Sequence, residues 1–356
     1  TAPPTAHAIT HQPVRTRVAN SAYLVGVAIV ALALGFGFTW LSRTDQAERG
    51  MNGVLSWSEG MGMPMRPAMS VMEEADVLPV SPDEAGLTVT IAAPATVVAG
   101  HPTRLTVEVR DAATGQLVSD LVRTHQVWMH MIIARSDLGT FAHCHPEPIA
   151  TAGVYSVDVT LPTAGQYDVH TEFRRNGQIA DVLDNHTLTV TGRKPPPVSV
   201  PAADVRTWTG HGVRIALDGR ATVGGDSDFT LSFNRVGANG RPTGEVDDLQ
   251  PYLGAAGHVV VMRADGSTFA HRHAETFDSR GRPVLALPGT KFGPDLDLHV
   301  RFDRPGAYRL WAQFELADGS VVTAPLVVRA AADPAPLAAT SVTAPSSTTG
   351  SPTSAR

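Results

Sequence analysis

Two stretches decide how this chain is read: HMIIARSDLGTFAHCHPE at residues 130–147 and HVVVMRADGSTFAHRHAE at 258–275. Aligned without a gap they agree at nine of eighteen positions: His130/His258, Arg135/Arg263, Asp137/Asp265, Thr140/Thr268, Phe141/Phe269, Ala142/Ala270, His143/His271, His145/His273 and Glu147/Glu275. The likeness continues downstream, where GQYDVHTEF at 165–173 matches GAYRLWAQF at 306–314. Self-similarity over such a length marks two copies of one structural unit.

Outward from these stretches the texture is that of half-buried strands with turn residues between them. LTVTIAAP, RLTVEVRD, VWMHMIIARSD, GVYSVDVTLP and QYDVHTEFRR lie in the first copy, and GVRIALDG, DFTLSFNR, GHVVVMRADG, LDLHVRFD, AYRLWAQFE and VVTAPLVVR in the second. Apolar and polar residues alternate with period two, at spacings that suit β-sandwiches. The expected fold is mainly β, with sandwich domains at 87–192 and 206–329 and a proline-rich hinge, residues 193–205, joining them. Residues 330–356 are low in complexity, and their Pro/Ser/Thr/Ala composition predicts disorder.

Hairpin geometry turns the histidines into a chemical pattern. Asp265-Gly266 is a strong turn signal, and a turn there sets His258 opposite His273. His271, two residues along the same strand, projects from the same face, so three imidazoles converge. The same register sets His130 opposite His145 with His143 beside it. Each triple can hold copper, zinc or a similar borderline metal, with a fourth position left for water or another side chain. His170 is the first copy's candidate for that position; the second copy has Trp311 there. Cys144 alternates onto the opposite face. Arg135/Arg263 and Asp137/Asp265 are expected to brace the hairpins and Phe141/Phe269 to fill the core, while His125, His186 and His299 receive no role.

The 356-residue chain carries a net charge of −6, which removes the basic footprint of a nucleic-acid binder, and its single cysteine excludes an internal disulfide. Residues 22–41, AYLVGVAIVALALGFGFTWL, carry no charge and are long enough to cross a bilayer as a helix. Tyr23 and Trp40 lie at its ends, at interface depth. Ala22/Gly26, Ala31/Gly35 and Ala33/Gly37 have the spacing that lets a partner helix approach. Arg15 and Arg17, with no acidic residue near them, place a leader at 1–21 in the cytoplasm and the bulk of the chain outside. The linker at 42–86 holds Met51, Met61, Met63, Met65, Met69 and Met72 among Gly and Pro. Thioethers are soft ligands suited to Cu(I), and flexible methionines also pack adaptably on partner surfaces.

At GHVVVMRADGSTFAHRH, followed by G-x-Y-x-x-x-x-x-F and VVTAPLVV, the chain resembles the YtkA-like and related immunoglobulin-like domains of copper-associated bacterial membrane proteins. The resemblance covers roughly 120–190 and 250–329. It implies an immunoglobulin-like, cupredoxin-like sandwich outside the cytoplasm, with copper ligands carried over to His258, His271, His273, His130, His143 and His145.

The chain lacks a nucleophile elbow, a P-loop, a dinucleotide fingerprint and H-E-x-x-H, so no enzyme is expected. Two readings stay open. One is a non-catalytic periplasmic accessory subunit, held in the bacterial inner membrane by a single span. In that layout, similar to extrinsic subunits of photosynthetic reaction-centre assemblies or respiratory supercomplexes, its partners are the lipid bilayer and other membrane subunits. The other is a periplasmic copper carrier or sensor.

Overall fold

The computed structural model describes residues 7–8 and 77–332. The apolar stretch at 22–41, the methionines between 51 and 72 and the tail beyond 332 lie outside the described residues. Among the described residues every regular element is a strand, and no helix is long and apolar enough to cross a membrane.

Each copy of the repeat folds into two sheets around its own core. In the first, a sheet of Leu87–Ala92, Pro102–Asp111, Val154–Thr160 and Glu147–Pro148 faces a larger one. The larger sheet runs His7–Ala8, Thr140–Cys144, His130–Arg135, Gly165–Arg175, Val182–Thr191 and Val97–Val98, with Leu121–Val122 also paired to Gly165–Arg175. Leu105, Val107, Met131, Ile133, Tyr167 and Phe173 fill the space between the sheets. The second copy repeats this plan. One sheet is built on Val213–Gly219, Asp226–Val236 and Asp295–Arg301, and the other runs Thr222–Val223, Val321–Ala332, Gly306–Glu315, Gly257–Arg263 and Phe269–Ala274. Its core is built on residues such as Ile215, Leu231, Phe233, Val259, Val261 and Phe314. The last strand runs to Ala332, three residues past the expected end at 329.

The hairpins take the register that the turn signal implies: His258 pairs with His273 and Val260 with His271, while Met131 pairs with Cys144 and Ile132 with His143. One expectation changes. His130–Arg135 is buried at every position, and Gly257–Arg263 at all but the last, so these strands are covered on both faces rather than half-buried. The second face packs on the other domain. Ile132, Ala134, Leu138 and Phe141 meet Val260, Met262 and Trp311 in a third hydrophobic cluster, so the two large sheets stack face to face.

The packing has a pseudo-two-fold axis. Phe141 stacks on Trp311, with ring centroids 4.7 Å apart, and its counterpart Phe269 stacks on His170, which occupies the position of Trp311, at 4.2 Å. Both pairs are tilted by only 13°. The turns Thr124–Val127 and Tyr252–Ala255 are closed by reciprocal backbone bonds and have left-handed residues at His125, Gln126, Leu253 and Gly254. They meet on the axis, where a Cβ on Gly254 would lie 3.4 Å from the His125 Cα.

Candidate metal centre

The stacking brings the two histidine triples together. His130, His143, His258 and His271 each present one ring nitrogen to a common centre, all four within 4.8 Å of one another. Their exposures are 2%, 6%, 0% and 6%. Two sites, one per domain, were expected; the structure gathers two histidines from each domain into one tetrad, because the strand face bearing them is also the face on which the domains dock.

Outer hydrogen bonds orient the rings. His143 Nδ1–H donates to Gln313 Oε1 at 2.7 Å, and His271 Nδ1–H donates to Glu172 Oε2 at 2.8 Å. Glu172 and Gln313 are equivalent positions of the repeat, and each reaches across to the other domain's histidine. His258 Nε2–H donates to the carbonyl of Tyr252 at 3.0 Å. A carbonyl or carboxylate oxygen can only accept, so these three neutral rings carry their protons on the outside and turn lone pairs inward. His258 Nδ1 and His271 Nε2 then face each other at 2.9 Å with no proton between them. On the first domain's side His130 Nδ1 lies 3.1 Å from His143 Nε2. The outer nitrogen of His130 is buried without a partner.

Protonation does not readily relieve these contacts. Burial, reinforced by the neighbouring imidazoles, holds His130 and His258 well below the ordinary histidine range, and burial pushes His271 down to about 4. A cation at the centre would be held by the inward lone pairs of these three rings, His143, His258 and His271, and, with the proton of His130 on Nε2, by His130 Nδ1 as a fourth. Four nitrogens at ~2.0 Å from a tetrahedral ion stand ~3.3 Å apart, close to the 2.9–3.1 Å contacts within each domain. The donor set, four imidazoles with a carboxylate behind one of them, suits zinc or copper.

The remaining predicted residues distribute around this tetrad. His145 Nε2 lies 3.3 Å from His143 Nε2. His273 sits beside His258 and His271, with ring centroids at 4.7 and 5.1 Å, and its Nε2 is buried without a partner. His170 is placed elsewhere: it stacks on Phe269, and its Nδ1–H donates to Asn185 Oδ1. Met61, Met63, Met65, Met69 and Met72 fall outside the described residues. Cys144 does point away, into the first core, where burial pushes its thiol up to about 12. Arg135 and Asp137 form a two-bonded ion pair at 2.7 and 2.8 Å, whereas Arg263 reaches Asp265 through Nη1 alone.

Sequence reasoning missed three participants. His125 packs on His273 with centroids 3.7 Å apart, and nothing in its local sequence signals this, since its counterpart is Leu253. Glu172 and Gln313 were legible in principle, being paired positions two residues beyond His170 and Trp311 on the same strand face.

Fold and site together define a tandem-repeat β protein with a buried tetra-histidine cluster between its two domains. The chain belongs to the family described as a domain of unknown function, DUF8832, whose model matches twice, at residues 82–192 and 207–332. A comparison with curated proteins finds no match. Solved structures with some similarity include a tetra-tandem repeat from the extending region of a large adhesion protein, at 10% identity and a TM-score of 0.23. The alignment covers 68% of this chain and 49% of that one. Another is trypsin-activated alpha-2-macroglobulin from Escherichia coli, at 11% identity and a TM-score of 0.22, covering 73% of this chain and 16% of that one. The chain thus spans about half the length of the first and about a sixth of the second.

Proposed function

We propose that this protein binds one transition-metal ion, copper or zinc, in the tetrad of His130, His143, His258 and His271, and that the ion staples its two domains into a single rigid body. The observation that carries this reading is the opposed pair of inward lone pairs on His258 and His271, which a cation satisfies and which burial keeps from ionising. Metal held by both domains contributes directly to the stability of their docking. The near-complete burial of the four rings supports a resident ion rather than one passed on, and so favours a structural role over a carrier or sensor.

On this reading the chain is a non-catalytic accessory subunit. Two immunoglobulin-like, cupredoxin-like domains stand on the periplasmic side of the bacterial inner membrane, anchored by residues 22–41. They brace a larger membrane assembly, such as a photosynthetic or respiratory complex. The apolar, small-residue pattern of 22–41 supports the anchor and a partner helix. Elemental analysis of the purified full chain tests the metal centre. One equivalent of copper or zinc per chain is expected, lost in the His143→Ala/His271→Ala variant; no retained metal and no uptake by the unmutated chain on titration would overturn it. Extraction in mild detergent tests the scaffold role, with stoichiometric membrane partners expected and a free monomer counting against it.

A further inference from the structure

The pseudo-two-fold axis relates two grooves, and the described residues fill one of them. On one side the hinge between the domains lies across the first hairpin. Val198 N–H donates to Asp137 Oδ2 at 2.9 Å, and Val200 packs on the inter-domain cluster of Phe141, Leu138 and Trp311. The fit is close: a Cβ on Gly139 would lie 3.0 Å from the Val198 Cβ. The hinge then joins the last strand of the second domain, where Val205 and Val327 exchange backbone bonds.

On the other side the equivalent residues line an open groove of about 710 Å³. Gly266, Ser267 and Phe269 of the second hairpin form one wall; Asp168, His170 and Thr187 of the first domain form the other. The hairpin here is uncovered. The Asp265 side chain is 53% exposed against 25% for Asp137, Arg263 22% against 6% for Arg135, and Phe269 is only partly buried where Phe141 is 2% exposed.

The chain supplies a segment in the matching place. Val190 stands opposite Gly165 and Ala330 opposite Gly306, so the last strands of the two domains correspond with an offset of 140 residues. Each of these strands takes a parallel two-residue partner at its end, Val97–Val98 in one domain and Thr222–Val223 in the other. The hinge that follows the first strand is RKPPPVSVPAAD; the residues that follow the second, 333–345, read DPAPLAATSVTAP. Both are rich in proline and small residues. In that correspondence Ala338 stands for Val198 and Thr340 for Val200, and Thr187 in the groove wall stands for Val327. Pro345 falls where Val205 donates to the strand and cannot repeat that bond, so the correspondence ends before it.

We propose that the groove beside Phe269 and His170 is a binding site for an extended, uncharged, proline-containing peptide, and that its occupant is this chain's own segment 334–343. Seated there, the segment covers the second hairpin as the hinge covers the first and closes the inter-domain seam on both sides. Nothing in this seat touches the histidine tetrad, so it stands independently of the metal.

The test uses the full chain in detergent. The near-contact of Gly139 and Val198 makes their counterparts suitable for a disulfide, so Ser267→Cys is combined with Ala338→Cys and oxidised with diamide. Mass spectrometry is expected to find an intramolecular link at least tenfold more abundant than in a Ser267→Cys/Ser351→Cys control. Equal yields, or links formed only between chains, would overturn the assignment. Hydrogen exchange provides a second readout that needs no cysteines. Ala338→Asp/Thr340→Asp, which brings carboxylates into a groove already lined by Asp168 and Asp303, is expected to speed exchange across 264–270 about tenfold relative to the unmodified chain. Unchanged exchange would refute the seat.

Discussion

The pair formed by Glu172 and Gln313 provides a control within the molecule for what a carboxylate does behind a proposed metal ligand. His271 donates to Glu172 across the domain seam, and His143 donates to Gln313 in the equivalent arrangement. Glu172→Gln therefore converts one half of the site into a copy of the other, with the acceptor kept and the charge removed. A hydrogen bond to a charged group contributes ~1.5–3 kcal/mol, against ~0.5–1.5 kcal/mol for a neutral one. The His271 side chain is 1% exposed and Glu172 15%, so solvent screens this difference little. A loss of ~1.4 kcal/mol is expected, which is about tenfold in metal affinity. Glu172→Ala removes the acceptor altogether and should approach 100-fold, the upper range for lost partners of metal-bound histidines. Competition titration of the metal-free protein against a chelator of known affinity measures both. If both variants bind metal as tightly as the unmutated chain, His271 is not a ligand and the tetrad is wrong.

Three further outcomes follow from the same structure. Burial holds His130, His258, His271 and His273 below the ordinary histidine range, so on acidification the unfolded chain takes up protons first. The stability they contribute is complete above pH ~6.5 and is lost as pH falls from there toward their folded values, by up to ~1.4 kcal/mol per pH unit for each ring. Urea midpoints of the metal-free protein at pH 7.5 and 5.5 should differ accordingly, and equal midpoints would contradict the burial. Trp311→Ala removes a side chain that is 2% exposed and stacked on Phe141, at an expected cost of ~3–5 kcal/mol. Denaturation followed by tryptophan-independent circular dichroism reads that loss, and a change under 1 kcal/mol would show that the seam is not a packed core. Cys144, its thiol raised to about 12, should resist alkylation at pH 8 in the native protein and react only after unfolding. Rapid native labelling would place it at the surface.

Much of this was legible in the residues. The Asp265-Gly266 turn and the shared spacing of His258, His271 and His273 define a register that puts three imidazoles on one face, and the fold has that register. What hid the single centre was the same strands' apolar content. MII at 131–133 and VVVM at 259–262 are continuous runs rather than alternating ones, the mark of strands covered on both sides. With the strands read as half-buried, each triple kept a site of its own, with His170 a candidate for the first copy's fourth position; the docked sheets instead set His258 and His271 beside His130 and His143.

The sequence by itself determined the β architecture, the duplication and the identity of the converging histidines. These follow from local physics: period-two patterning, turn chemistry and the side-chain alternation of a hairpin. Only the tertiary structure decided that the two triples meet, that Glu172 and Gln313 stand behind the opposite domain's rings, and that the described residues cover one groove of a symmetric pair but not the other. Each of these depends on how two sheet faces dock. Docking is set by the shape and burial of surfaces brought together from residues more than a hundred positions apart, for which the local sequence carries no period.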